Sequence, residues 1–236
     1  MRKRRQTGDL SQGELVAGAV FFAVYLLVLP FAAGPLFRAV SLLLGVTISE
    51  GLANAIYYYA LFLTAVVVFH GYLVRTSQKL LDDLSGSLKT VGVGLVALYG
   101  LNELVYRLGR GLAGSHTNLN DVAVSAQVST APYTTMLIVV LLAPFVEEVL
   151  FRGLVFGALR GRSRLLAYAV SCVLFALMHV WQFAVSSRDA SYLLLTVQYL
   201  VPGLVLAWAY EHSGNLWTAV GVHAAANALS TWQILR

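Results

Sequence analysis

Two adjacent glutamates, Glu147 and Glu148, interrupt an apolar run that extends over residues 137–152. A carboxylate inside membrane hydrocarbon costs at least ~2.5 to 3.5 kcal/mol, so such side chains normally face a polar cavity and mark a functional site. Arg152 follows Glu148 by four residues, which on a helix puts both side chains on one face. Arg152 can therefore compensate Glu148 and leave Glu147 as a general base. The alternative is a buried ion pair that only fixes helix packing.

Phe175 and His179 repeat this four-residue spacing in the next apolar segment. A single buried histidine belongs to a packed core more often than to a site, but the depth of His179 argues otherwise. Residues at equal distance from the turn of an antiparallel helix pair lie at one level. The midpoint of 147 and 179 falls at 163, inside the turn 161–164. We therefore predict that Glu147 and His179 face each other.

His223 and Asn227 share one face of the last apolar segment, among small residues that allow helices to approach closely. Small residues alone would indicate packing, whereas two hydrogen-bonding groups one turn apart indicate an arrangement directed at a polar partner. Asn102 and Glu103 form a weaker candidate pair, because Arg107 is near enough in sequence to pair with Glu103.

Hydrophobic residues make up 58% of the chain and charged residues only 11%, which is outside the range of soluble globular proteins. The chain is therefore predicted to be an integral membrane protein. Its apolar segments are each near the ~20 residues that cross ~30 Å of hydrocarbon, and they occupy 15–34, 52–74, 90–106, 133–159, 165–185, 191–210 and 215–232. We predict an all-α, polytopic transmembrane helical bundle of about seven spans. The segment 35–50 is interpreted as an additional interfacial or re-entrant helix, or as a loop.

The net charge of +5 could suggest a nucleic-acid partner, but the basic residues lie at the ends of the apolar segments and form no single patch. They are better explained by membrane topology. With a cytoplasmic amino terminus and seven crossings, five of the 16 lysines and arginines lie outside and the other eleven lie on the cytoplasmic side, as the positive-inside rule requires. We predict this orientation in a prokaryotic plasma membrane and expect no nucleic-acid partner.

The polar stretch 111–132 divides the chain into two segments. Residues 1–132 read as generic transmembrane helices with a polar loop, and residues 133–236 contain the three polar pairs described above. No internal repeat is visible, so both segments are expected to form one bundle. The lone Cys172 excludes a disulfide framework and a cysteine-based metal cluster.

The patterns Glu-Glu-x-x-x-Arg, Phe-x-x-x-His and His-x-x-x-Asn, in this order on successive apolar helices, resemble the CPBP family of intramembrane proteases. This family includes the CAAX prenyl endopeptidases and the Abi-type proteins of bacteriocin processing or immunity. The similarity extends to Gly153 after Arg152 and to Ser-Gly-Asn-Leu-Trp at 213–217, and it covers roughly 133–232. The amino-terminal segment matches only as hydrophobic helices.

The resemblance implies an enzyme that hydrolyses a peptide bond of a membrane-associated peptide or protein, which in CAAX-type members is prenylated. Glu147 would activate a water molecule and His179 would position it. His223 and Asn227 would stabilise the oxyanion of the tetrahedral intermediate. Membrane lipid and a peptide or protein substrate are the partners that this activity implies.

The residue types also permit a zinc ion bound by Glu147, His179 and His223 with an open fourth position. We favour a mechanism with no metal and no other cofactor, because the helical His-Glu-x-x-His pattern of known zinc proteases is absent. Two other functions compete with proteolysis. One is a catalytically silent scaffold or bacteriocin immunity protein, and the other is a small proton-coupled transporter, which the lack of repeats disfavours.

Overall fold

The computed structural model describes residues 10–109 and 119–235. In this part of the chain every regular element is a helix, which confirms the all-α prediction. The basic residues 2–5 lie outside the described part, so the orientation of the amino terminus stays a prediction. The helices are α1 (Gln12–Leu44), α2 (Glu50–Val68), α3 (His70–Asp82), α4 (Leu84–Gly109), α5 (Leu119–Thr130), α6 (Pro132–Arg160), α7 (Arg164–Met178), α8 (Trp181–Ser187), α9 (Ala190–Ser213) and α10 (Leu216–Ile234).

Five of these helices, α1, α2, α4, α6 and α9, are long and apolar enough to cross a membrane. The count becomes six if α7 and α8, which are bent by 41° at their junction, form one broken span; both counts refer to the described residues. Helix α10, the last of the predicted spans, has 19 residues but is too polar to be counted with them. The chain is thus a helical membrane protein, and the predicted count of about seven spans is not confirmed.

The segment 35–50 does not form a separate interfacial or re-entrant helix. Its first ten residues continue α1, and Pro35 lies inside this helix without ending it. The helix ends where Gly45 adopts a φ of 64°, a left-handed conformation that favours glycine. Ser49 then caps the start of α2 by accepting a hydrogen bond from the main-chain N–H of Leu52.

Helix α6 forms the centre of the bundle. In an apolar stretch of 18 residues within α6, 56% of the residues are buried inside the protein. The corresponding share in the other four spanning helices is 11% to 28%. Val149, Leu150, Phe151 and Phe156 have no exposed surface at all. A polar side chain on this part of α6 is therefore surrounded by protein and not by lipid.

Helices α7 and α9 cross closely at Gly203. A β-carbon added at Gly203 would lie 3.3 Å from the Cα and 3.4 Å from the Cβ of Cys172. The missing side chain also leaves the carbonyl of Gly203 within reach of α6, where it accepts a hydrogen bond from Arg152 at 3.0 Å. Small residues serve this purpose in membrane helices, where close packing replaces the hydrophobic effect.

The Ser-Gly-Asn-Leu-Trp segment at 213–217 fixes the start of α10. Asn215 caps the helix by accepting from the N–H of Thr218, and its Nδ2 donates to Ser87 Oγ on α4 at 2.9 Å. The N–H of Leu216 donates to Thr76 Oγ1 on α3 at 2.7 Å. These bonds join the amino-terminal helices to α10 and set its register. The predicted division of the chain into the segments 1–132 and 133–236 stays a prediction.

We expect Gly203→Val to lower the free energy of unfolding by about 1 to 3 kcal/mol, because a branched side chain must push α7 and α9 apart. Thermal unfolding in detergent measures the loss. The matched control is Gly92→Val, since a β-carbon at Gly92 would meet nothing within 4 Å. Equal shifts for the two variants would show that the crossing at Gly203 is not tightly packed.

Candidate active site

Glu148 and Arg152 form a fully buried ion pair, as their spacing on one helix face predicts. Arg152 Nη1 donates to Glu148 Oε1 at 3.1 Å, and both side chains have no exposed surface. The other end of the guanidinium donates to Gly203 O, and its plane lies over the ring of Phe175 at 4.3 Å from the centroid. Arg152 thereby links α6, α7 and α9 around one charge.

His223 is the second partner of Glu148. Its Nδ1 lies 2.8 Å from Glu148 Oε1, the same oxygen that accepts from Arg152. A carboxylate oxygen accepts, so Nδ1 carries the hydrogen and the Nε2 atom points away from Glu148. Sequence reasoning missed this contact, because 75 residues separate the two positions and no spacing rule connects them.

The break between α7 and α8 orients His179. The N–H of His179 donates to Ala176 O, so the last turn is tighter than an α-helix and leaves Phe175 O without its usual donor. The ring Nδ1 of His179 takes that place at 2.9 Å from Phe175 O. Because a carbonyl can only accept, Nδ1 must carry the hydrogen. Tyr199 stacks on the other side of the ring, with centroids 4.4 Å apart, a contact that no sequence pattern indicated.

Glu147 lies where the two imidazoles converge. Its Oε2 is 3.8 Å from His179 Nε2 and 4.0 Å from His223 Nε2, which agrees with the predicted equal depth of Glu147 and His179. This oxygen is buried and has no hydrogen-bond partner among the described residues. A separation slightly too long for a direct bond between polar atoms is the distance that one water molecule can bridge.

Asn227 lies one turn beyond His223 but is engaged by the main chain of α6. Its Nδ2 donates to Val139 O at 2.8 Å. One of the two amide hydrogens is thereby committed to a structural bond. The other remains for the oxyanion role that the family resemblance implies.

A cavity of about 2180 Å³ opens in front of Glu147, and His179, His223 and Asn227 also line it. The opposite wall comes from the amino-terminal helices, with Tyr25 on α1 and Asn102 on α4. The weaker candidate Asn102 is therefore part of the cavity wall. Its neighbour Glu103 is instead exposed and paired with Arg107 at 2.6 Å.

Two of the three separations in the possible zinc site are wider than those between zinc ligands. Ligands held tetrahedrally at about 2.0 to 2.2 Å lie roughly 3.3 to 3.6 Å apart, whereas the two separations from Glu147 Oε2 are 3.8 and 4.0 Å. Across the described ranges, no group of three or more His, Cys, Asp or Glu residues is arranged to hold a metal ion. The residue types suit zinc, whereas these two separations are wider than a bound zinc ion would set.

The part of the chain that contains the candidate site matches a known protein family. Residues 129–229, which contain all six site residues, match the family model "Type II CAAX prenyl endopeptidase Rce1-like". This segment is similar to the Rce1-like family. The match confirms the resemblance to the CAAX prenyl endopeptidases that the three motifs indicated.

The chain is also similar to a curated protein, the UPF0177 protein YxdF of Lactococcus lactis subsp. lactis (strain IL1403), to which it is 29% identical over 113 residues. The aligned part is 48% of this chain and 55% of the relative, so the chain spans about half the length of the protein that it matches. No solved structure gives a significant match.

We expect Arg152→Met to lower the free energy of unfolding by roughly 3 to 5 kcal/mol, because it leaves the Glu148 carboxylate buried without its cation. Arg107→Met is the matched control, since Glu103 and Arg107 have the same spacing but side chains that are 56% and 74% exposed. Its loss should stay below about 1 kcal/mol. Thermal unfolding in detergent compares the two variants, and similar losses would contradict the buried ion pair.

Proposed function

We propose that this chain is an intramembrane endopeptidase in which Glu147 activates water to hydrolyse a peptide bond of a membrane-associated peptide or protein. The observation that carries the proposal is the convergence of two imidazole Nε2 atoms on Glu147 Oε2. Each ring has its Nδ1 engaged elsewhere, His179 with Phe175 O and His223 with Glu148. Both rings therefore present their second nitrogen to the carboxylate.

Glu147 and His179 together can hold the attacking water. With its hydrogen on Nδ1, neutral His179 offers a lone pair at Nε2, and Glu147 offers another at Oε2. A water molecule between them donates one hydrogen to each and directs its own lone pair outward to the substrate carbonyl. Glu147 then takes one proton as the new carbon–oxygen bond forms. It returns that proton to the leaving nitrogen when the carbon–nitrogen bond breaks.

His223 and Asn227 are suited to the developing oxyanion. The imidazole of His223 can donate from both ring nitrogens when each of them carries a hydrogen. The ring then donates from Nδ1 to Glu148 and from Nε2 into the site. The second amide hydrogen of Asn227 is the other donor, while Val139 O holds the first. Preorganised donors of this kind supply the largest electrostatic stabilisation in acyl transfer.

The cavity suits a peptide more than a small molecule. Its volume of about 2180 Å³ exceeds the roughly 300 to 1,000 Å³ of typical small-ligand sites. The wall opposite the catalytic residues contains amide and phenol groups from α1, α2 and α4, which can hydrogen-bond a peptide main chain. Substrate choice then depends on the amino-terminal segment, including whether the substrate carries a prenyl group.

We further propose a prokaryotic plasma membrane with a cytoplasmic amino terminus. Three arginines lie at the junction of α6 and α7, which the positive-inside rule assigns to the cytoplasm: Arg160 ends α6, Arg162 lies in the turn and Arg164 begins α7. The bacterial origin of the relative YxdF agrees with this location. The catalytic cavity then opens on the opposite side, where α6 and α9 begin.

We expect Glu147→Gln to slow cleavage by at least about 100-fold, since the amide cannot accept the proton of water. Comparative proteomics of membrane fractions from cells that carry the wild type or Glu147→Gln should reveal accumulated uncleaved precursors. Glu103→Gln is the matched control, because that glutamate lies outside the cavity wall. Unchanged output in Glu147→Gln, His179→Ala and His223→Ala would instead support a silent scaffold or immunity protein.

We expect chelation to leave cleavage intact, in keeping with a glutamate-dependent mechanism without metal. Purified protein should be assayed for zinc by elemental analysis and for cleavage of an identified precursor before and after treatment with a chelator. Stoichiometric zinc whose removal abolishes cleavage, and whose return restores it, would replace the proposed mechanism with a zinc-dependent one.

A further inference from the structure

Helix α6 widens immediately before Pro144. Residues Leu137–Leu142 have π-helical geometry, and the N–H of Ala143 donates to Ile138 O, five residues back. In the same five-residue register, the main-chain N–H of residue 144 would donate to Val139 O. Proline has no main-chain N–H, so Val139 O receives no donor from its own helix in this register.

The proline itself explains the wide turn. In a regular α-helix the proline ring collides with the carbonyl four residues back, and a π turn relieves that contact. The same arrangement occurs in α1, where Val24–Val28 are π-helical, the N–H of Leu29 donates to Val24 O, and Pro30 follows. In both helices the wide segment ends two residues before the proline.

Asn227 supplies the donor that Pro144 withholds. Its Nδ2 lies 2.8 Å from Val139 O and so joins α10 to α6 beside the cavity. An unpaired carbonyl in this partly buried position would be costly, so the bond is specific for a donor at residue 227. Pro144 is three residues before Glu147, and Asn227 is four residues after His223. The bond therefore couples the two helices that bear the base and one oxyanion donor.

We propose that Pro144 is a positioning residue that acts through Asn227. By leaving Val139 O without a main-chain donor, it creates the acceptor that orients the Asn227 amide and sets the depth of α10 against α6. The structural half of this inference is independent of any activity. The catalytic half, that the bond aims Asn227 and His223 at the reacting carbonyl, rests on the proposed function.

A double-mutant cycle, measured as melting temperatures, tests without any substrate whether Pro144 creates the acceptor for Asn227. Asn227→Ala should lower the melting temperature of the full chain in detergent by roughly 2 to 10 °C, because Val139 O loses its donor. In the Pro144→Ala background the main chain can supply that donor. The loss caused by Asn227→Ala should then fall to half or less. Equal losses in both backgrounds would overturn the proposal.

Pro30→Ala is the matched control, because it removes the other proline that follows a wide turn and leaves Asn227 and Val139 unchanged. Asn227→Ala should lower the melting temperature as much in that background as in the wild type.

If Pro144→Ala yields no folded protein, Asn227→Asp and Asn227→Leu in the wild-type background test the proposal instead. Aspartate keeps the shape but opposes two acceptors, so it should be at least as destabilising as leucine. Aspartate as stable as asparagine would overturn the proposal.

Cleavage of an identified precursor tests the catalytic half. Pro144→Ala should lower kcat by roughly 10-fold or more with little change in KM, since a displaced donor weakens the transition state. Pro144→Ala should cause no further loss in the Asn227→Ala background, whereas independent, additive losses contradict the catalytic half. If the unfolding cycle is non-additive and Glu147→Gln has no effect on any cleavage, the proposed function fails and the positioning bond stands.

Discussion

A buried carboxylate that must be compensated is the constraint on which the rest of this structure depends. Glu148 has no exposed surface, and one of its oxygens accepts from both Arg152 and His223. An unpaired charge at this position would be far more costly than any single packing defect. The compensation also determines architecture, because Arg152 reaches α9 at Gly203 O and His223 belongs to α10. The helices that meet at Glu148 are the helices that form the site.

Main-chain carbonyls released by helix irregularities hold the remaining groups. The break after α7 releases Phe175 O, which binds the ring of His179. The wide turn before Pro144 releases Val139 O, which binds Asn227. A second wide segment of α6, Val149–Phe156, contains Phe151, whose carbonyl accepts from Ser171 on α7 at 2.8 Å. π turns concentrate at functional sites in helical proteins, and here they supply acceptors that a regular helix would keep for itself.

The sequence predicted the helical class, the ion pair of Glu148 and Arg152, and the level at which Glu147 meets His179. These follow from short-range spacing and from the length of one turn. The contact of His223 with Glu148 could not be predicted, since it depends on the rotation and depth of α10, which Asn215 and Leu216 set through bonds to α3 and α4. The apolar segment predicted for the first span ended at 34, whereas α1 continues through Pro35 to Leu44 and ends where Gly45 adopts a left-handed conformation. The predicted number of spans included α10, whose polar face makes it less apolar than the helices that can cross a membrane.

The division between the two adjacent glutamates follows from helix geometry. Successive residues on a helix point about 100° apart, so Glu148 can enter the core while Glu147 faces the cavity. Glu148 binds Arg152 and one ring nitrogen of His223, and Phe175 O binds one ring nitrogen of His179. What remains around Glu147 Oε2 is two ring nitrogens at 3.8 and 4.0 Å, too far to bind it directly and near enough to bind a third molecule beside it. A buried carboxylate oxygen that has no hydrogen-bond partner among the described residues keeps its capacity to accept a proton from a bound molecule.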